Sequence, residues 1–451
     1  MEIAKQINPA FSHYVQDWEH SEYIVMGGYG SSKSYHTALK IILKLLKEKR
    51  KCLVVRQTYN SIRESCFDLF KEILTDMDLL TEDVSKRKVR VNKVTYTDTP
   101  MGFKFPNGSR IIFKGLDKVG KIKSINGVSI IWVEEASEVT YTAYKELMGR
   151  ARMPKMSLHF ILTFNPVGME NWTVKHFFEY RNEEGKRIVI LDHKKLYKYG
   201  CISDKRKNRY YLHTTADDNY FLSVDYLERL DDMQEYDPDL YRIARKGQLG
   251  PNGLRVLPQF TVAKTHKEVM EKVRSLPREN KKVGMDFGFE TSYNALVKCA
   301  IEDLPNGGKN LYIYWEYYKN HKTDPETVRE LEELGWDKER MIIGDAAEPK
   351  TIRFYQQSGF KMRACRKKAG SRLENTKKIK RFHKIICSPK CYNAILELEN
   401  LIYAKDNRDE IIPDEFNIDS HVFSALWYAL DTVTVADVKY MPRNTKIGVK
   451  Q

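Results

Sequence analysis

The sequence of 451 residues has few of the features that mark a secreted or membrane protein. Its seven cysteines are an odd number and form no C-x-x-C pair, which argues against a disulfide framework and against a structural zinc site. It contains no signal-peptide pattern and no apolar run long enough to cross a bilayer. We therefore expect a soluble protein of a reducing, intracellular compartment, without a membrane partner.

Acidic residues are also in deficit: 61 stand against 76 lysines and arginines, so the formal net charge is +15. This excess favours a polyanionic partner, nucleic acid first, although surplus lysine also serves plain solubility. Basic residues occur in separated runs at 86–90, 204–211 and 377–384, as expected of patches on a folded body rather than of a disordered arm. The chain length predicts two domains, because one hydrophobic core rarely supports so many residues.

The stretch GGYGSSKS at 27–34 has the layout of a phosphate-binding loop. An apolar run ends in glycines, and a Lys-Ser pair then opens a helical pattern, with Lys33 as the point charge and Ser34 as a Mg²⁺ ligand. Ser32 replaces the second glycine of the G-x-x-x-x-G-K-[ST] pattern, and the alternative is a plain glycine-rich turn. The residues expected to hold ATP are Gly27, Gly28, Gly30, Ser31, Ser32, Lys33 and Ser34.

Two apolar strands further along end in polar side chains. The stretch VSIIWV runs into Glu134 and Glu135, at the strand end where open α/β sheets hold their ligands. One carboxylate would take the Mg²⁺ and its neighbour would orient the attacking water, although the pair alone also suits an acidic helix start. LTFNP at 162–166 places Thr163 and Asn165 beside the γ-phosphate, or is simply a strand entering an Asn-Pro turn.

The domain organisation follows from a second buried strand and a turn-rich break. KCLVVRQT at 51–58 completes a β-α-β crossover, so the first half predicts a phosphate-loop ATPase: a mostly parallel α/β sheet with helices on both faces. Three glycines and a proline between 247 and 253 mark the break. The predicted domains are an ATPase at 1–248, a linker at 249–256 and a nuclease at 257–451.

The second half opens with three antiparallel strands, typical of a ribonuclease-H-like mixed α/β nuclease domain. Asp286 lies in the middle of the first strand and Asp345 at the end of the fourth. A charged Asp in an apolar strand is costly to bury unless it is paired or binds a metal. Cleavage of a phosphodiester with two Mg²⁺ or Mn²⁺ ions needs a bridging carboxylate, expected at Asp286, and a flanking one, expected at Asp345. We expect Glu316, on the third strand, on a solvated face.

Several motifs together resemble the large terminase subunit of tailed bacteriophages and prophages. They are GGYGSSKS, KVGKIKSINGVSIIWVEEASE, GRARMP, LTFNP and TTADDNYFL, in that order, and the resemblance covers nearly the whole chain. The resemblance implies a role for each residue already singled out in the first half: Lys33 and Ser34 hold phosphates and Mg²⁺, Glu134 is the metal-associated acid, Glu135 the catalytic carboxylate, and Asn165 with Thr163 the coupling motif. It also implies that Asp286 and Asp345 bind the nuclease metals.

The chain departs from the family pattern in its ATPase half at Tyr29, where the family often has an arginine finger. The charge that stabilises the transition state must then come from elsewhere. Arg150 and Arg152 are the candidates, in the same subunit or reaching into a neighbour. The alternative is that they pair with surface acids or with phosphate.

In the nuclease half, Ser424 stands where the last helix of the family carries an acid, and Trp427 replaces an arginine. His421 matches the family histidine and could bind a metal or act as a hydrogen-bonding group at the helix start. Asp419 is the nearest acid that could complete the site. A basic loop and helix at 360–382 suit contact with backbone phosphates without base readout.

The resemblance implies a DNA-packaging motor, in which ATP hydrolysis drives double-stranded DNA into a procapsid and a metal-dependent endonuclease cuts concatemeric DNA. It further implies a portal protein and a small terminase subunit as partners, a homo-oligomeric ring, usually pentameric, and residence in the host bacterial cytoplasm. The protein would sit at the procapsid portal transiently and be absent from the mature virion. The alternative is an ATP-driven translocase whose second domain binds DNA without cutting it, because Ser424 removes an acid.

Overall fold

The computed structural model describes residues 6–82, 93–116, 126–182, 186–250, 253–288, 292–366, 371–405 and 411–438. The basic run at 86–90 and residues 367–370 of the basic loop lie outside these ranges. Two compact units emerge, one comprising Met1–Glu179 with Val189–Asn252 and the other Tyr180–Ile188 with Gly253–Gln451. The short segment Tyr180–Ile188 thus groups with the second unit, although it belongs to the first half of the sequence. Within the described ranges, no helix combines the length and apolarity that a membrane span requires.

The first half of the chain alternates strands and helices. The strands are β1 (Glu22–Gly27), β2 (Lys51–Arg56), β3 (Leu80–Glu82), β4 (Val94–Asp98), β5 (Met101–Lys104), β6 (Arg110–Gly115), β7 (Ile130–Glu134), β8 (His159–Phe164), β11 (Cys201–Asp204) and β12 (Arg209–Thr214), with β9 (Glu179–Arg181) and β10 (Arg187–Val189) paired in a separate two-stranded sheet. The helices are α1 (Ser12–Gln16), α2 (Lys33–Lys47), α3 (Tyr59–Ile62), α4 (Asp68–Asp76), α5 (Tyr141–Met148), α6 (Trp172–Phe177), α7 (His193–Tyr199), α8 (Val224–Tyr236) and α9 (Pro238–Ala244).

Ten of these strands form one sheet in the order β11-β12-β1-β8-β7-β2-β6-β5-β4-β3. Its centre is parallel, from β12 through β1, β8, β7 and β2 to β6, and buried on both faces. Alternate residues of β1 show this: Tyr23 and Val25 pack into a core with α2 and α4, whereas Ile24 and Met26 pack into a second core with α5. The predicted parallel sheet with helices on both faces is confirmed.

The elements of the second unit continue the chain. The strands are β13 (Phe260–Val262), β14 (Lys281–Asp286), β15 (Tyr293–Asp303), β16 (Lys309–Asn320), β17 (Ile342–Gly344), β18 (Met362–Ala364), β19 (Lys384–Cys387), β20 (Tyr403–Lys405) and β21 (Ile411–Phe416). The helices are α10 (His266–Ser275), α11 (Asp324–Glu333), α12 (Pro349–Gln357), α13 (Ser371–Lys380), α14 (Tyr392–Glu399) and α15 (His421–Ala429).

Seven of these strands form a mixed sheet in the order β13-β19-β16-β15-β14-β17-β18, and β20 pairs with β21. The strands β14, β15 and β16 are antiparallel neighbours, as predicted, and β17 runs parallel to β14. Asp286 is the last residue of β14, not a mid-strand residue as the sequence suggested. The chain leaves the sheet directly after it, so the carboxylate stands at a strand end beside Asp345, which follows β17.

Helix α15 lies directly on β14 because Gly284 has no side chain. A Cβ at this position would stand 2.0 Å from the carbonyl oxygen of Ala425 and 2.4 Å from the amide nitrogen of Ala429. This close approach carries the start of the helix to the carboxyl end of β14. It therefore determines which residues of α15 meet Asp286.

Six of the seven cysteines are buried, and Cys201 is exposed. None of the seven forms a disulfide. Their contribution is packing, apart from Cys66, which contacts a site residue described below.

Candidate active sites

The loop between β1 and α2 is shaped by two residues with positive φ, Gly30 at 68° and Ser32 at 60°. Ser32 stands where the motif has glycine and adopts the left-handed conformation that glycine takes freely. A side chain there costs about 1–2 kcal/mol of backbone strain. The loop shape of the motif is thus kept in spite of the substitution.

Lys33 is held inside this loop by oxygen acceptors. Its Nζ donates to the carbonyl oxygens of Gly27 and Gly28 at 3.0 Å each and to the side-chain oxygen of Asn165 at 3.0 Å. Burial lowers the pKa of the ammonium to about 8, while the charges of Glu135 and Glu134 act in the opposite direction. The lysine is therefore positioned before any ligand arrives.

Glu134, at the end of β7, accepts hydrogen bonds on both carboxylate oxygens. Ser34 Oγ donates to Oε1 at 3.0 Å, so the two predicted Mg²⁺-site residues lie side by side. Ser65 Oγ at 3.2 Å and Cys66 Sγ at 3.3 Å contact Oε2, and Arg56 Nε lies 3.6 Å from the same oxygen. Ser65 and Cys66 come from a π-helical turn over Arg63–Phe67, a feature that is frequent at functional sites.

Glu135 follows β7 in a left-handed conformation with φ of 48°. Asn165 Nδ2 donates to its two carboxylate oxygens at 3.2 and 3.3 Å, and the same side chain accepts from Lys33. Burial raises the pKa of Glu135, Lys33 opposes the rise and Glu134 reinforces it. Asn165 thus links the loop lysine to this acid.

Thr163 lies in the core behind these groups. Its Oγ1 accepts a hydrogen bond from Trp132 Nε1 at 2.9 Å, and the residue is buried. The two side chains fix β7 and β8 in register, where Glu134 pairs with Thr163. The structure therefore places Thr163 as a support of the site from within the sheet.

A cavity of 580 Å³ opens beside the loop and is lined by Gly30, Ser32, Tyr35 and Asn219, among others. Asn8 Nδ2 donates to Ser32 Oγ at 2.9 Å and to Asn219 Oδ1 at 3.1 Å, and Asn219 Nδ2 donates to the Gly30 carbonyl at 2.7 Å. These two asparagines support the loop from positions 211 residues apart. Asn219 belongs to the TTADDNYFL stretch, to which the sequence analysis assigned no role. This motif was the signal from which Asn219 could have been found as a residue of the site.

The two candidate arginine fingers have partners of their own in this chain. Arg150 Nη2 lies 3.2 Å from Glu146 Oε2, one helical turn earlier, and Arg152 Nη2 donates to Asn126 Oδ1 at 3.2 Å. The backbone N–H of Tyr29 donates to the carbonyl oxygen of Ala244 at 2.8 Å. Arg56, by contrast, contacts a site carboxylate, that of Glu134.

The second site lies at the carboxyl ends of β14 and β17. His421 Nδ1 is 3.0 Å from Asp286 Oδ2, and Tyr428 from the same helix hydrogen-bonds to the acids Asp286 and Asp345. Burial raises the pKa of Asp286, His421 opposes the rise and Asp345 adds to it. Burial lowers the pKa of His421, but Asp286 and the charge of Glu397 outweigh burial and hold it above its usual range.

The predicted ligands of this site are gathered but do not form a closed metal centre. Within the described ranges, no three His, Cys, Asp or Glu side chains are arranged to hold a metal ion. Asp286 and Asp345 supply hard carboxylate oxygens at one strand end, which suits Mg²⁺ or Mn²⁺. Asp419 is exposed, and Ser424 has no charge with which to replace the missing acid.

Comparisons with known proteins show the family to which the chain belongs. A family model described as phage terminase large subunit matches residues 19–248, and one described as terminase RNase H-like domain matches residues 286–432. The chain belongs to the phage terminase large-subunit family. It is 50% identical over 437 residues to the PBSX phage terminase large subunit of Bacillus subtilis strain 168, covering 97% of this chain and 96% of that one.

Other terminases are similar at lower identity. The terminase large subunit of Bacillus phage SPP1 is 25% identical over 439 residues, covering 93% of this chain and 94% of the relative. Among solved structures, the large terminase of a thermophilic bacteriophage has a TM-score of 0.42 and 16% identity, covering 96% of this chain and 99% of that one. By the two family models, the chain has a terminase ATPase domain and an RNase H-like domain.

Two glutamates of the RNase H-like domain accept hydrogen bonds from helix starts, and the expectation for one of them was wrong. Glu316 accepts hydrogen bonds from the backbone N–H groups of Asn393 at 2.8 Å and Ala394 at 2.7 Å, so it caps α14 and does not lie on a solvated face. Glu397 accepts from the N–H groups of Val422 at 3.0 Å and Phe423 at 2.8 Å, at the start of α15. The first N–H groups of a helix have no partner within the helix, which explains why half-buried Glu316 and buried Glu397 lie at these helix starts.

The basic helix α13 is also less available to DNA than its composition suggested. Lys378 is buried, donates to the Leu430 carbonyl at 2.8 Å, and has its pKa lowered to about 8 by burial. Lys380 donates to the hydroxyl of Tyr403 at 2.9 Å. Lys378 therefore serves the packing of the RNase H-like unit, whereas Lys380 is exposed.

Proposed function

We propose that this terminase large subunit hydrolyses ATP in its first unit to move double-stranded DNA into a procapsid, and cuts concatemeric DNA in its second. The observation that carries the proposal is the Lys33–Asn165–Glu135 chain beside the Ser34–Glu134 pair. It joins a phosphate-binding cation, a candidate base and a candidate Mg²⁺ site within one connected set of side chains.

In the first unit, Lys33 and the loop amides would bind the phosphates of ATP, and Ser34 with Glu134 would hold Mg²⁺. The chemistry supplied by that ion is charge neutralisation on the β- and γ-phosphates. Glu135 would orient the attacking water and take its proton, for which its raised pKa suits it. Binding of the γ-phosphate would draw Lys33 away from Asn165, so the asparagine is placed to sense hydrolysis at Glu135.

In the second unit, Asp286 and Asp345 would hold two Mg²⁺ or Mn²⁺ ions. The chemistry supplied by such ions, when bound, is activation of a water and stabilisation of the leaving oxygen of a phosphodiester. His421 would orient Asp286 through its Nδ1 contact, and Tyr428 would orient the pair from the same helix. Asp419 is retained as the candidate for a further ligand.

The partners proposed with this function are a portal protein, a small terminase subunit and further copies of this chain in a ring. The family places such an assembly at the procapsid portal in the bacterial cytoplasm, transiently and outside the mature virion. In that ring Arg150, whose own partner is Glu146, is the proposed arginine finger toward a neighbouring subunit.

The ATPase half of the proposal is tested by DNA-stimulated ATP hydrolysis. We expect Glu135→Gln and Lys33→Ala to lose hydrolysis, and Glu138→Gln, an exposed acid three residues away, to retain it. ATP should still bind Glu135→Gln, because that change leaves the phosphate-binding groups in place. Full hydrolysis by Glu135→Gln would refute the assigned base.

The nuclease half is tested by cleavage of supercoiled plasmid with Mn²⁺ or Mg²⁺. We expect wild type to cut and Asp286→Asn to lose cutting. Loss of cutting in Asp419→Ala would identify Asp419 as a metal ligand, and retained cutting would show that it has no part in the site. Absence of a third arranged ligand among the described residues favours a second candidate, a translocase with an impaired nuclease. An inert wild type whose Ser424→Asp variant cuts would establish that second candidate.

A further inference from the structure

A cavity of 390 Å³ in the nuclease unit is lined by five cationic side chains among its twelve lining residues. The cations are Arg278, Lys281, Lys282, Arg340 and Arg363. Two acids, Glu279 and Glu339, also line it. The site described above uses none of these residues.

Most of the cations that line this cavity have no ion-pair partner among the described residues. Arg363 is paired with Asp431 at 2.9 Å, and Glu339 is paired with Lys361, which lies outside the lining. In the part of the chain that the structure describes, the other four lining cations form no ion pair. Lys282 donates only a long hydrogen bond of 3.4 Å to Thr432, and Arg340 donates to the hydroxyl of Tyr314 at 3.2 Å.

The cavity lies at the opposite end of β14 from the carboxylates. Lys281 is the first residue of this strand and Asp286 the last, so at about 3.3 Å per residue they are roughly 16 Å apart. Helix α15 covers the strand between them through Gly284. A ligand at these cations is therefore separate from the metal-binding acids, yet bound to the same strand.

The chemistry of the lining selects phosphate over a nucleobase. Of the described residues that line the cavity, none is aromatic, so the lining offers no ring on which a base could stack. Lysine and arginine on several segments suit successive phosphates of a backbone, which they bind without reading sequence. An acidic protein surface could meet the same charge, but the concave shape and the excess of 76 basic over 61 acidic residues favour DNA.

A neighbouring lysine shows how concentrated the positive charge is. Lys298 lies between the rings of Trp315 and Trp336, with Nζ 4.5 and 4.1 Å from their centroids. Burial lowers the pKa of Lys298 to about 8, and the positive charge of Arg340 contributes to the fall. An anion placed beside Arg340 would relieve this repulsion.

We propose that this basic cavity binds the phosphodiester backbone of DNA, as a second contact of the nuclease unit remote from Asp286 and Asp345. The inference rests on the proposed function only in taking DNA as the substrate. It assigns Lys281, Lys282, Arg278 and Arg340 to sequence-independent binding, which would hold the duplex while the strand end bearing the acids acts on it.

The test is fluorescence anisotropy of a labelled duplex with the full chain, titrated at several salt concentrations. The variant is Lys281→Gln/Lys282→Gln, and the charge-matched control is Lys264→Gln/Lys267→Gln at exposed positions near α10. We expect the slope of log K against log salt to become shallower by about 1 to 2 in the variant, because each lost phosphate contact contributes about 0.9. The control should keep the wild-type slope.

An unchanged slope and affinity in the variant would overturn the proposal. An acidic protein surface would then be the remaining candidate ligand of the basic cavity. Equal losses in variant and control would also overturn it, because net charge alone would then explain binding. Asp286→Asn distinguishes the proposed nuclease activity from the proposed DNA binding in the basic cavity. This variant should lose plasmid cleavage but retain the wild-type slope. Circular dichroism confirms that each variant is folded before its slope is compared.

Discussion

The buried acid Glu397 gives the sharpest quantitative prediction, because its environment changes its protonation near neutral pH. The side chain is buried and receives two backbone N–H groups from the start of α15. Burial raises its pKa to about 7, although those N–H groups act against the rise. A folded-state pKa above the unfolded value means that the acid stabilises the fold below its unfolded pKa and loses this contribution as pH rises through about 7.

The size of the effect follows from the two pKa values. With about 7 in the folded unit and about 4.3 when α15 opens and exposes the acid, the stability should fall by roughly 2 kcal/mol between pH 5.5 and pH 8. That corresponds to roughly a thirtyfold rise in the local opening constant. Glu397→Gln keeps an acceptor for the helix start and removes the titration, so this pH dependence should disappear.

Hydrogen exchange by mass spectrometry on peptides covering α15 measures the opening directly. Wild type and Glu397→Gln are compared at each pH, so that the intrinsic pH dependence of exchange cancels. Glu333→Gln, at an exposed position of α11, is the charge-matched control. If wild type and Glu397→Gln keep a constant ratio of opening constants from pH 5.5 to 8, the assigned burial of a titrating carboxylate at this helix start is wrong.

Three further perturbations follow from the packing and the phosphate loop. Gly284→Ala places a methyl group 2.0 Å from the carbonyl oxygen of Ala425, so we expect α15 to shift. The protein should lose roughly 1–3 kcal/mol of stability and cut plasmid more weakly. An unchanged melting temperature would contradict the close approach. Mg-ATP at a hundred times its Kd should stabilise the chain by about 2.7 kcal/mol in thermal unfolding, and Lys33→Ala should show no such gain. Burial lowers the pKa of Lys40 well below its usual value, so the free energy of unfolding should rise with pH between that lowered pKa and the ordinary lysine range. Urea unfolding at pH 7 and pH 9 should show a smaller rise in Lys40→Met than in wild type.

Local sequence determined the parts of the sites that depend on neighbouring residues. Glycines followed by Lys33 and Ser34 between a strand and a helix specify a phosphate loop, because backbone conformation and helix start are properties of a few consecutive residues. The same holds for acids directly after buried strands, such as Glu135 and Asp345. Period-two and period-3.6 patterns then place those strand ends at one edge of a sheet.

Long-range packing decided what these residues contact. Asn8 meets Asn219 behind the phosphate loop, and Cys66 meets Glu134, although neither pair is adjacent in the chain. Such partners are chosen by which faces of helices and strands are buried together, and one sequence without its packing does not specify that choice.

The acids of the nuclease unit show the same contrast between what local sequence predicts and what long-range packing decides. Glu316 has the sequence context of a solvated strand residue, yet it accepts a hydrogen bond from Asn393, 77 residues later in the first turn of a helix, which no local pattern predicts. Asp286 could be recognised as a costly charge among apolar residues, but its partner His421 was brought to it by the helix that Gly284 admits. Sequence by itself therefore determined the candidate site residues and the elements on which they lie. Tertiary structure decided their partners and protonation, because burial and long-range contacts set the free energy of each charge.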